Sequence, residues 1–224
     1  MQKERLSLPE EFSLLLLVQN SGYFRGRIFQ PVEFFTAASC MMELFYRGKL
    51  KEIEQSVTVI DSTRTGLSFL DAVMDTIERA NKPRNLFNWL IYFSNKRLRT
   101  RQRIADHLVR RNILRSVETH KFLIFPVTHL VIVKPDVREE IVRNLREKML
   151  DFAPLDEQTL GLFLLIKQSG RVKQYFSKNE LTGIKYRLDR LQHEEAHVLS
   201  FRLAKMVNKA YKTVATPKWE SYGV

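Results

Sequence analysis

The sequence predicts a mostly α-helical protein of one domain, with one β-hairpin. Three observations point there. Apolar residues recur at three- and four-residue spacings along most of the 224 residues, the mark of helices with one buried face. Capping pairs and glycines close these stretches at their ends. One long segment, residues 121–133, is instead apolar and β-rich, which reads as a hairpin. Hydrophobic content of 44% with 15 Phe supplies a sizeable core. No repeat, low-complexity tract or linker divides the chain, so residues 1–214 read as one helical domain and 215–224 as a loose tail.

The elements follow in order. Ser7 and Glu10 have capping-box spacing before the apolar run 12–18, which Asn20, Ser21 and Gly22 break. A second helix is expected over 32–46, closed by Gly48. Residues 56–60 form a short β-branched stretch, and 61–66 a turn-rich loop. Leu67, Leu70, Met74 and Ile77 share a helix face. Beyond Pro83 comes a helix with Leu86, Trp89, Leu90 and Phe93. A helix over 97–111 ends near Asn112, and the hairpin 121–133 follows with its turn at 127–129. Pro135 starts the next helix, with Asp136 and Glu139 at capping spacing and Val137, Ile141 and Leu145 inward. Residues 156–168 make a very apolar helix stopped by Gly170, Ser177 and Glu180 cap another, and 193–214 form a last long helix.

Composition excludes several classes. The single Cys40 rules out an internal disulfide and sits in an apolar run as a buried thiol, which fits a reducing compartment. The N-terminus carries no signal-peptide pattern, and the run 12–18 is too short to span a bilayer. A soluble protein facing the cytosol is expected, with any membrane contact peripheral. His193-Glu194-Glu195-Ala196-His197 matches the H-E-x-x-H zinc pattern, yet Ser200 and Leu203 stand where a further Gly and His ligand would be required. It reads as a solvated helical face, and no metal or cofactor is expected. Without a phosphate-binding glycine loop, a triad order or paired carboxylates, nothing argues for an enzyme.

The charge is concentrated. Of the residues 96–115, eight are basic and only Asp106 is acidic, a net +7 within a chain total of +12. Such a cluster repels itself unless an anion binds. At about 100° per residue, Ile104, Ala105 and Leu108 share one face, while Arg99, Arg103 and Arg110 gather on the opposite one. Arg101 and Arg97 project near the apolar arc. An inward arginine needs a partner, either a carboxylate elsewhere in the fold or an anion in a pocket. A second basic stripe, Arg202, Lys205, Lys209 and Lys212, backs onto Leu199, Leu203, Met206 and Ala210. That suits an anionic membrane surface or an ordinary surface helix.

Several segments together resemble the Golgi phosphoprotein 3 family. They are Leu6-Ser7-Leu8-Pro9-Glu10-Glu11-Phe12, Met42-Glu43-Leu44-Phe45-Tyr46-Arg47-Gly48-Lys49-Leu50, Thr65-Gly66 with Leu70-Asp71, Asn88-Trp89-Leu90, Arg103-Ile104-Ala105, Leu108-Val109-Arg110-Arg111-Asn112-Ile113-Leu114 and Phe122-Leu123-Ile124-Phe125. The resemblance implies a compact helical domain around a central helical bundle, one β-hairpin and no catalysis. It also implies a basic, membrane-facing surface with a pocket for phosphatidylinositol 4-phosphate, and an adaptor that holds cytosolic tails of Golgi membrane proteins. Carried over by position, the family's aromatic falls on Ile28 or Phe29, of which Phe29 alone is aromatic, and one arginine falls on Arg101, flanked by Arg97 and Arg99. Ala37 and Leu98 stand where the family has two further arginines. Arg103 and Arg110 would face the membrane. The short N-terminus points to a bacterial or divergent member, whose ligand in a cell without phosphoinositides is another anionic lipid or phosphorylated headgroup. The expected location is the cytosolic face of a membrane, the Golgi in a eukaryote.

Two alternatives compete. A winged-helix nucleic-acid-binding protein would use helix 97–111 and hairpin 121–133, but Lys121 is the one basic residue of that hairpin, so nucleic acid is disfavoured. A scaffold would self-associate through the same hairpin.

Overall fold

The predicted helical periodicity is realised in nine α-helices and two antiparallel hairpins across residues 5–17, 31–94, 99–121, 125–151 and 154–215, the residues that the computed structural model describes. The helices are α1 (Leu8–Leu16), α2 (Pro31–Tyr46), α3 (Ser68–Glu78), α4 (Leu86–Ser94), α5 (Thr100–Arg110), α6 (Pro135–Leu150), α7 (Glu157–Gln168), α8 (Lys178–Leu191) and α9 (Val198–Ala215). The strands are β1 (Leu50–Ile53), β2 (Ser56–Val59), β3 (Leu114–Lys121) and β4 (Phe125–Ile132).

Two helices are apolar nearly all round, and such helices belong in the middle of a fold. On α2, Phe34, Phe35, Ala38, Cys40, Met41, Met42 and Leu44 are all buried, and on α7 so are Leu160 and every residue from Leu162 to Ile166. They approach closely at Gly161, where a Cβ would lie 2.5 Å from the Tyr46 hydroxyl. Alanine there would collide with the ring that joins α2 to α9. The Tyr46 hydroxyl lies 2.8 Å from Ser200 Oγ at one end of α2, and Phe34 and Phe35 pack on Tyr211 at the other, with centroids 5.4 and 4.7 Å apart. So α9 runs antiparallel to α2.

Local signals place the helix ends. The Ser7 N–H and Oγ both donate to Glu10 Oε2, at 2.9 and 2.6 Å. Ser177 N–H donates to Glu180 Oε2 at 2.7 Å, and Asp156 accepts from the Thr159 N–H at 2.9 Å. Gly48 and Gly170 follow their helices at positive φ, as closing glycines do.

Four expectations are corrected. The helix expected over 97–111 begins at Thr100, because Arg99 is left-handed at φ 48° and ψ 39°. The hairpin expected over 121–133 pairs Leu114 with Ile132 and Lys121 with Phe125, so 127–129 lies inside β4 and the connection falls at 122–124, outside the described residues. Ser116 and Glu118 of β3 are exposed, and a two-stranded ribbon without a fully buried face gives a strand no apolar signature. Lys134 rather than Asp136 caps α6, since Pro135 takes its first helical position, where a fixed φ is preorganised. The last helix starts at Val198, not His193, after tight i to i−3 bonds from His193 to Arg190 and from Glu194 to Leu191. Beyond the expectation, β1 and β2 form a second short hairpin, turned by Glu54 and Gln55 at φ 48° and 65°.

Candidate functional site

The basic segment becomes α5 because one side of it meets the core. Thr100, Ile104, Ala105 and Leu108 are buried, and the arginines are left to the other sides. Arg99 stands at the N-cap and is exposed, its carbonyl accepting the Arg103 N–H at 3.0 Å. Arg103 and Arg110 are exposed. Seven residues separate them, about 10 Å along the helix. The solvated stripe read from the sequence therefore exists, with Arg99 reaching it from a left-handed residue rather than a helical turn.

Arg101 has a carboxylate from elsewhere in the fold. Its Nε lies 3.0 Å from Glu33 Oε1, with 43% of the arginine side chain exposed against 16% of the glutamate. Glu33 sits in the first turn of α2, where the helix dipole favours a negative charge. Ala37, one turn further, is buried and offers no cation. At the other end of α5, Arg111 Nη1 reaches Glu10 Oε1 at 3.1 Å and His107 Nε2 reaches the same oxygen at 3.3 Å. Burial pushes the His107 pKa below its ordinary value. Glu10 opposes this, and Arg111 and Arg110 add to it.

These contacts orient the helix. The start of α5 meets the start of α2 through Arg101 and Glu33, and its end meets the start of α1 through Arg111 and Glu10. The positive ends of α2 and α5 thus lie close together, and Arg99, Arg101 and Arg103 all belong to the start of α5. Helix N-termini and arginine forks both hold phosphate oxygens. Glu33, Arg111 and His107 were not among the residues singled out from the sequence. Glu33 had one signal, as the sole acid between Glu11 and Glu43. Phe29, Arg97 and Leu98 lie outside the described residues.

The second stripe is arranged differently. Arg202, Lys205, Lys209 and Lys212 are all exposed on α9, opposite the buried Leu203 and Ala210. Arg202 pairs with Glu52 at 3.3 Å, and Lys209 Nζ lies 5.7 Å above the Phe87 ring. His193 and His197 do not share one α-helix, because 195–197 is a 3-10 turn. No cluster of three metal-binding side chains occurs among the described residues. No helix of the described residues is long and apolar enough to cross a membrane.

A family model described as Golgi phosphoprotein 3 (GPP34) matches residues 8–212. The chain belongs to the Golgi phosphoprotein 3 family. Its match runs from the first residue of α1 to three residues short of the end of α9, so α5, both hairpins and all four cations of the α9 stripe lie inside it. Membership of the Golgi phosphoprotein 3 family goes with an adaptor role rather than catalysis.

Proposed function

We propose that this Golgi phosphoprotein 3 family member is a peripheral-membrane adaptor that recognises an anionic or phosphorylated lipid headgroup through the basic surface of α5. One observation carries the reading. Arg101 pairs with Glu33 so that the starts of α5 and α2 lie side by side, and Arg99 and Arg103 stand exposed at the same start of α5, while Ile104 and Leu108 fix the helix from behind. Arginine suits the task, since its planar fork binds phosphate oxygens in pairs. Each such cation near an anionic leaflet contributes about 1 kcal/mol of attraction. Arg110 extends the contact along the helix, and bound cytosolic tails of membrane proteins are the cargo this reading implies.

Flotation with vesicles tests it. Wild type should float with vesicles containing phosphatidylglycerol or phosphatidylinositol 4-phosphate and not with pure phosphatidylcholine. Arg101→Ala should bind several-fold more weakly while unfolding at nearly the same temperature, because its ion pair with Glu33 is half-exposed and contributes little to stability. Binding that ignores anionic lipid content, or that is unchanged by Arg101→Ala, would sink the reading.

A further inference from the structure

We infer that the outer ridge of α4 is a docking surface for an acidic segment of a partner protein, with Arg84 as its fixed point. The surface is separate from α5 and independent of the headgroup reading. From Arg79 to Ser94 the chain carries three cations, Arg79, Lys82 and Arg84, and no acid. Leu86, Trp89, Leu90 and Phe93 of α4 are buried, which turns Phe87, Asn88, Ile91 and Tyr92 outward. Asn88 is exposed and the other three are half-buried. At about 100° per residue, Phe87 and Tyr92 fall on opposite sides of Asn88, and a cation stands on each flank. The Arg84 guanidinium lies over the rings of Trp89 and Tyr92, 4.8 and 5.0 Å from their centroids, and Lys209 Nζ lies 5.7 Å above Phe87. Neither of these two side chains has a hydrogen bond or an ion pair among the described residues.

Arg84 is held as a rigid fork. The rings beneath it are themselves fixed, since Trp89 is 1% exposed and stacks on Phe93 at 5.1 Å, and Tyr92 meets Trp89 edge-on at 5.4 Å. Its carbonyl accepts the Val57 N–H of β2 at 2.9 Å, so its main chain is held too. A guanidinium ordered in advance loses little freedom when its planar fork meets a carboxylate. Trp, Tyr and Arg are also the residues that carry most of the energy of protein interfaces. A nucleic-acid base would need an open ring face, and the Trp89 ring already carries Phe93 and Arg84. A bilayer takes up protruding apolar side chains, and those of this ridge are half-buried. An acidic segment can lay one apolar side chain on Ile91 and Tyr92 and reach Arg84 and Lys209 with carboxylates on either side, across about 10 Å, the width of a helix.

Fluorescence anisotropy on the full chain tests this, with a labelled peptide of two glutamates, two phenylalanines and two glutamates. Wild type should bind it, and should not bind a peptide with lysine in place of each glutamate. Arg84→Gln should weaken binding about fivefold or more, as loss of a charged anchor does. Arg84→Lys should weaken it nearly as much, because an ammonium keeps the charge without the fork. Lys209→Glu reverses a charge on an exposed side chain and should weaken it about threefold or more. Both Arg84 variants should unfold near the wild-type temperature and float with phosphatidylglycerol vesicles as wild type does. The inference is overturned if the acidic peptide fails to bind at millimolar concentration, if the lysine peptide binds equally, or if Arg84→Gln or Lys209→Glu binds like wild type. It is also overturned by Arg84-dependent binding of a single-stranded oligonucleotide, or by loss of vesicle flotation in a folded Arg84→Gln, which would make the ridge a nucleic-acid or lipid surface. Peptide binding that follows these variants while wild type floats with no anionic vesicle would uphold the α4 surface and sink the headgroup reading of α5.

Discussion

The two basic helices, α5 and α9, carry similar charge and hold it in different ways. On α5 the cations are arginines, and Arg101 and the C-cap Arg111 are tied to carboxylates on other helices, Arg101 to Glu33 and Arg111 to Glu10. Glu10 is only 1% exposed, so that end of α5 is fixed from inside the fold. On α9 three of the four stripe cations are lysines, and the ion pair of Arg202 with Glu52 is between partners 51% and 21% exposed. The α9 stripe is mostly ammonium point charges, whereas α5 carries planar guanidinium forks, with Arg101 and the neighbouring Arg111 held by carboxylates. Charge counted along a sequence does not separate the two. The carboxylates on α1 and α2 do.

The largest expected difference is in stability. Glu10→Ala would strand the Arg111 and His107 donors and the Ser7 N–H, all of which converge on that one carboxylate. It should destabilise the fold by about 3 kcal/mol in chemical denaturation, since removing one side of a buried charge network is costly. A loss below about 1 kcal/mol would mean that α5 is no better anchored than α9.

The second difference is in membrane binding. Arg99→Ala/Arg103→Ala should weaken binding to phosphatidylglycerol vesicles about tenfold or more, and Lys205→Ala/Lys212→Ala under about threefold, if only the first pair lies against the headgroups. Equal losses would make both helices parts of one surface, and a larger loss from the lysines would move the site to α9.

The smallest effect concerns pH. The folded pKa of His107 lies below its ordinary value of about 6.5. The unfolded chain therefore takes up a proton more readily than the fold does, and stability falls as the pH drops from about 6.5 toward the folded value. Denaturation midpoints at pH 7.5 and 5.5 should show this loss in wild type and less of it in His107→Gln.

What the sequence made legible was local. Ser7 with Glu10, Ser177 with Glu180, and the closing Gly48 and Gly170 lie within a few residues of what they do, and the structure has them in those roles. The outward faces of α5 and α9 follow from helical spacing alone. The features that were not legible depend on residues far apart in the chain. Nothing near Glu33 announces that it lies beside Arg101, 68 positions on. Nothing in the polar β3 marks a strand, because its partner β4 rather than its own pattern defines it. Arg99 in a left-handed conformation and the break before Val198 lack the glycine or proline that would have signalled them. In the candidate site, then, the cations were visible and the carboxylate among them was not.

The antiparallel clamp of α9 on α2 bears on how this chain folds. Tyr46 and Ser200 are 154 positions apart, and Tyr211 closes over Phe34 and Phe35 from still further away. Contacts of such long range form late, after the intervening loop entropy has been met. On the ribosome, the aromatic face of α2 would emerge early and wait for the final helix, exposed to water and to other chains. The core thus closes only once α9 has been made, and a nascent chain halted before Tyr211 would leave the aromatic face of α2 uncovered.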